Sequence, residues 1–125
     1  MRASGILLLS AVPGAHELTV DALRRHGATV RVAHEPSRAL ELLRSRPTLV
    51  LVDLVHGPAI DRRVVSRLNG SRGSTMVVAL HEGRLDLFQE AVADLSVDAF
   101  CRSGDWRPLT DITSPPGVLA STTVH

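Results

Sequence analysis

Asp53 is the residue best placed to do chemistry in this chain. It closes Thr48-Leu-Val-Leu-Val52, the most hydrophobic and β-branched stretch, which puts a carboxylate at the end of a buried strand. Histidines recur in equivalent places: His16, His34, His56 and His81 fall at the start of the first helix or just past predicted strand ends. If the strands are parallel, their C-termini share one edge, and open α/β sheets bind ligands at that edge. Asp53, His56 and His81 then make a candidate three-ligand metal site, because imidazole and carboxylate suit Zn²⁺ and related ions. The competing reading treats these histidines as ordinary loop residues and Asp53 as a cap on the loop that follows it. Ser10, His16 and Asp53 can be written as a nucleophilic triad, yet no Gly-x-Ser-x-Gly turn presents the serine.

The elements that must position these residues follow from short apolar runs alternating with helical patterns. Gly5-Ile-Leu-Leu-Leu-Ser10 has the all-apolar character of a strand covered on both faces. A helix is expected over 15–26, with Leu18, Ala22 and Leu23 inward and Gly27 at its C-terminal stop. Thr29–Ala33 alternates like a strand nearer the sheet edge. Ser37 is expected to cap a helix running to Arg46, with Ala39, Leu40 and Leu43 on its apolar face and Pro47 ending it. Thr48–Val52 is the central strand. Asp61 to Leu68 is a short helix with Val64, Val65 and Leu68 inward, and Thr75–Leu80 is the fourth strand. Leu85, Phe88, Val92 and Leu95 form one helical stripe, and Val97–Cys101 is a short fifth strand. Five strands separated by helices imply a parallel sheet with right-handed crossovers. Beyond Trp106 only 109–113 has helical character before Ser114-Pro-Pro-Gly117, so a domain is expected over 1–113 and a turn, tail or linker over 114–125.

The run Val32-Ala-His-Glu-Pro-Ser-Arg-Ala-Leu-Glu-Leu-Leu-Arg-Ser-Arg-Pro-Thr-Leu-Val-Leu-Val-Asp-Leu54 resembles response-regulator receiver domains of two-component signalling. In that family an Ala- and Leu-rich helix leads through a Pro-Asp-Leu step into a strand ending in the phosphoacceptor Asp. The resemblance implies a flavodoxin-like (CheY-like) three-layer sandwich, with a five-stranded parallel sheet of order 2-1-3-4-5. It places Asp53 at the acceptor position. The remaining pocket positions depart from the family. Ser10 and Ala11 stand where two acidic residues hold Mg²⁺, and Leu80 or His81 where a Thr or Ser closes the fourth strand. Ser103-Gly104 replace a Lys-Pro pair, unless an insertion makes Arg107-Pro108 the equivalent, and the last helix is short or missing. Phosphoryl transfer depends on positioning and on neutralising charge, chiefly through a divalent cation. A single carboxylate with neutral neighbours is a poor Mg²⁺ site. The expectation is therefore an atypical receiver-like module acting by protein contacts, without efficient phosphorylation of Asp53.

Two alternatives stay open: a working phosphoacceptor receiver with a substituted metal pocket that still uses Mg²⁺, and a small metal- or cofactor-binding domain on the histidine edge. Pro13-Gly-Ala-His-Glu-Leu-Thr19 is also similar to the cobalamin-binding domain, although Gly14 stands where that motif has its acid. In the receiver family the face beside the fifth strand is a dimerisation and output surface. Phe100, Trp106 and Leu109 are its counterparts here, uncovered if the last helix is short, and a protein partner, a homodimer or a further output domain is expected.

Bulk composition limits other functions. At 125 residues, 44% hydrophobic and 22% charged, the chain suits a single domain with a real core. Aromatic residues make up only 2% and Tyr is absent, so base or flavin stacking has little to work with. A net charge of +1 without a basic run argues against direct nucleic-acid contact. Cys101 is the sole cysteine, which excludes an internal disulfide and makes the cytoplasm the expected compartment. The apolar run from Ile6 to Val12 is too short to span a membrane.

Overall fold

The computed structural model describes residues 5–71, 73–82, 92–105 and 107–109. Its strands are β1 (Gly5–Leu9), β2 (Thr29–Ala33), β3 (Leu49–Asp53), β4 (Met76–His81) and β5 (Ala99–Arg102). The helices are α1 (Glu17–Arg25), α2 (Pro36–Leu43) and α3 (Arg62–Gly70). All strand pairs are parallel, as the alternation of elements implied, and the sheet order is β2-β1-β3-β4-β5, as the receiver resemblance implied.

Alternation along the strands divides the core into two halves. Leu7, Leu9, Val50, Val52, Val77 and Ala79 face one way, onto Ala39, Leu42 and Leu43 of α2 and Val64 and Leu68 of α3. Ile6, Leu8, Leu49, Leu51, Val78 and Leu80 face the other way, onto Val20 and Leu23 of α1 and onto Leu109. β1 and β3 are covered on both faces, which explains their unbroken apolar runs. A fully buried Leu is worth about 1.5–3 kcal/mol in transfer alone, so these two strands anchor the domain and the edge they end on.

Several boundaries differ from the sequence reading for local reasons. α1 begins at Glu17, after His16 in a left-handed conformation. Thr19, Val20, Ala22 and Leu23 face the sheet and Leu18 is 83% exposed, because one residue is a rotation of about 100° around a helix. α2 begins at Pro36, whose fixed φ suits the first helical position, so Glu35 rather than Ser37 is its N-cap. Ser37 lies inside the first turn and donates to the Glu35 carboxylate at 3.2 Å. The helix stops at Leu43, and Arg46 (φ 54°) turns the chain back toward β3. Asp61 caps α3 by accepting the Val64 amide at 3.0 Å. β5 starts later than expected because Asp98 binds both backbone groups of Val77, donating its amide to the carbonyl at 2.8 Å and accepting the Val77 amide on its carboxylate at 2.7 Å.

Leu85 and Phe88 of the expected fourth helix lie outside the described residues, as do Trp106 and the 114–125 segment. Leu95, at the end of that stripe, is buried. Among the described residues no helix is long and apolar enough to cross a membrane. Cys101 is buried in β5, with its Sγ 3.0 Å from the Asp105 carbonyl oxygen. Burial first, and the Asp105 charge second, push its thiol up from the ordinary value. Alkylation by iodoacetamide at neutral pH is expected to be far slower in the folded protein than in urea. Equal rates would contradict this placement.

Candidate functional site

The site forms where the C-terminal ends of β1, β3 and β5 meet two loops. The β1–α1 loop leaves the sheet at Ser10, whose amide donates to the Ala33 carbonyl at 3.1 Å. Ala11 then donates to the Gly57 carbonyl at 2.8 Å, tying this loop to the one after β3. Gly14 (φ 82°) and His16 (φ 60°) both occupy the left-handed region, and this double reversal folds the loop back over the sheet. Glycine adopts that conformation freely, whereas His pays a modest cost that its surroundings must cover. His16 does not cap α1 with its side chain. The ring points down instead, its side chain only 3% exposed, with Nε2 2.9 Å from Asp53 Oδ1.

Asp53 is completely buried. Its Oδ1 also accepts the amides of Val55 at 2.8 Å and His56 at 3.1 Å. Its Oδ2 accepts the Ser10 hydroxyl at 2.7 Å and meets His56 Nδ1 at 3.2 Å. Every acceptor direction of the carboxylate is therefore occupied by the chain itself. Burial alone would push this carboxyl up, but the close His16 imidazole, then the Ser10 hydroxyl, then the His56 and Val55 amides outweigh it. Together they hold the group well below the usual carboxylate range.

A second layer fixes the first. Ser103 Oγ, just past β5, lies 3.3 Å from His16 Nδ1. His34 Nδ1 donates to the Ser10 carbonyl at 2.9 Å, which assigns its proton to that nitrogen. The His16 and His56 rings meet edge to face, with centroids 5.1 Å apart.

These contacts sort the residues singled out from sequence. Ser10, Asp53, His56 and Ser103 converge. Ala11 is exposed and contributes only backbone, and Leu80 pairs with Asp53 across the ladder as a core residue. His81 is a correction: it is not one of the imidazoles gathered at Asp53, and its ring packs instead against Phe100, centroids 6.3 Å apart. Alternation along β4 turns it away from the face that Leu80 shares with Leu51. His16 takes the place expected for His81. The sequence reading placed His16 on this edge and beside Ser10 and Asp53 in a possible triad, but not among the metal ligands. Ser10 donates to the carboxylate, not to the imidazole, so Ser10, His16 and Asp53 meet without forming a nucleophilic relay. Leu109 is a second correction, since it is fully buried on the α1 side of the sheet and offers no exposed surface. Phe100 remains 56% exposed on the edge strand.

Mg²⁺, the ion expected of a receiver pocket, does not fit this donor set. That ion takes oxygen ligands in a near-octahedral array and keeps several waters. Here one carboxylate is enclosed by two imidazoles and a hydroxyl.

No protein-family model and no curated protein matches the sequence. Solved structures do match. The receiver domain of the sensor histidine kinase PA1611 from Pseudomonas aeruginosa, with magnesium in its active-site cleft, superposes with a TM-score of 0.69 at 17% identity, over 90% of this chain and 99% of that one. The signal receiver domain of an HD domain-containing protein from Pseudomonas fluorescens gives 0.66 at 23% identity, over 98% and 87%. The beryllofluoride-activated receiver domain of Klebsiella pneumoniae RstA gives 0.60 at 21% identity, over 96% and 95%. Sheet order, crossovers and superposition agree: this chain has the fold of response-regulator receiver domains.

Proposed function

We propose that the domain is a receiver-like signalling module that works through protein contacts and not through phosphorylation of Asp53. The observation that carries this reading is the state of the carboxylate, buried and with both oxygens held by Ser10, His16, Val55 and His56. A phosphoacceptor must present an oxygen to the incoming phosphorus and have a cation nearby to neutralise the transferred group. Reaching Asp53 here requires expelling His16, and the pocket does not suit Mg²⁺. The same contacts tie the β1–α1 loop to the segment after β3. Signal transfer then rests on surfaces. Phe100, exposed on edge strand β5, supplies an apolar anchor for a second copy or another protein. An output domain joined to this one is a further partner consistent with the fold.

The test is to add Mg²⁺ and beryllofluoride to the folded protein and follow backbone amide shifts of Val55, His56 and Ser103 by NMR. No saturable change is expected. Saturable shifts at these residues would restore a phosphorylation switch and overturn the reading.

A further inference from the structure

We propose that His16, Asp53 and His56 form a binding site for a divalent transition metal ion of the Zn²⁺ or Co²⁺ kind. The site uses side chains already described but does not depend on the signalling role, since the ion binds whether or not the domain signals.

One donor atom from each residue lies within 4.8 Å of the other two. Metal bonds of about 2.0–2.1 Å in a tetrahedron put neighbouring donors about 3.3 Å apart. His16 Nε2 is already 2.9 Å from Asp53 Oδ1, and His56 Nδ1 is 3.2 Å from Oδ2. Only small movements are needed to seat an ion. His56, 41% exposed at its side chain, is free to make the largest of them. Two imidazoles and one carboxylate are the donors that zinc-type ions favour over Mg²⁺ or Ca²⁺. Three protein ligands leave a position for water on the open His56 side.

A second observation points to a ligand. His16 Nε2 is buried and has no hydrogen-bond partner among the described residues. It sits close to the Asp53 oxygen, but without the direction a hydrogen bond needs. Buried polar atoms are nearly always satisfied, so an unpartnered ring nitrogen beside a carboxylate is an exception that calls for an occupant. The remaining contacts resemble the outer layer of a metal site. Ser103 engages the other nitrogen of His16, which leaves Nε2 for the metal, and Ser10 orients the carboxylate.

The test titrates Co²⁺ into the full chain, read by its visible ligand-field bands, and Zn²⁺, read by calorimetry. One equivalent of each is expected to bind. His56→Ala, a change at a half-exposed side chain, is expected to weaken binding by at least about 100-fold with an unchanged circular dichroism spectrum, and Ser103→Ala by about 10-fold. His81→Ala is expected to leave binding unchanged. Absence of saturable binding, or binding that survives His56→Ala, would overturn the site. Neither result bears on the beryllofluoride experiment: failure to bind Co²⁺ leaves the non-phosphorylated reading standing, and a beryllofluoride response leaves the Co²⁺ result standing.

Discussion

Asp53→Ala is expected to lower the stability of the domain by about 3–5 kcal/mol, read as the shift of the urea unfolding midpoint at constant slope. The cost comes from the groups left behind. Ser10 Oγ and the amides of Val55 and His56 lose their acceptor at once, and the buried His16 ring loses the carboxylate beside it, in a place that water does not reach. Asp53→Asn keeps one carbonyl oxygen for the two amides but turns an NH₂ toward Ser10 and His56. Its loss is expected to be smaller, about 1–3 kcal/mol. The opposite outcome is informative. A carboxylate held in an open acidic pocket suffers from its neighbours' charge, so neutralising it is harmless or favourable. An Asp53→Ala protein within about 0.5 kcal/mol of the parent, the range of ordinary surface changes, would show that the network does not hold this edge together.

The fold was legible because it is written locally. Two-sided burial of β1 and β3 demands runs such as Ile6–Leu9 and Leu49–Val52, and no helix of this size would keep every position apolar. The positions of α1, α2 and α3 were legible to within a turn, but phase was not always so. Leu18 looks like a core residue until the left-handed His16 sets where α1 begins. The candidate site was half legible. Asp53 and His56 lie three residues apart on one loop, so their contact follows from local geometry. The contacts of Asp53 with Ser10 and His16, and of His16 with Ser103, join β1, β3 and β5 across the sheet edge. They depend on the reversal at Gly14 and His16, a backbone choice that residue types permit without dictating. His81 was misplaced for the same kind of reason. Sequence puts it on the correct edge, and only strand alternation decides the face.

Acid is expected to expose how the pocket holds its charge. The folded Asp53 carboxyl is held below the unfolded value of about 3.9. A depressed carboxylate contributes stability that is fully present above the unfolded value and is lost as pH falls through the folded one. The part of the parent's stability that comes from this carboxyl's own titration should therefore be fully present above about pH 5 and shrink as pH drops below about 4. His16→Ala tests which contact is responsible. Burial pushes the carboxyl up, and His16 is the largest of the contacts that oppose it. With that ring gone, the carboxyl moves back toward its unfolded value, and the acid limb of this variant becomes shallower than that of the parent. Urea midpoints measured between about pH 5 and 2 would show it. An acid limb as steep in His16→Ala as in the parent would assign the depressed carboxyl to Ser10 and the two amides, and would leave His16 only a space-filling part at the edge.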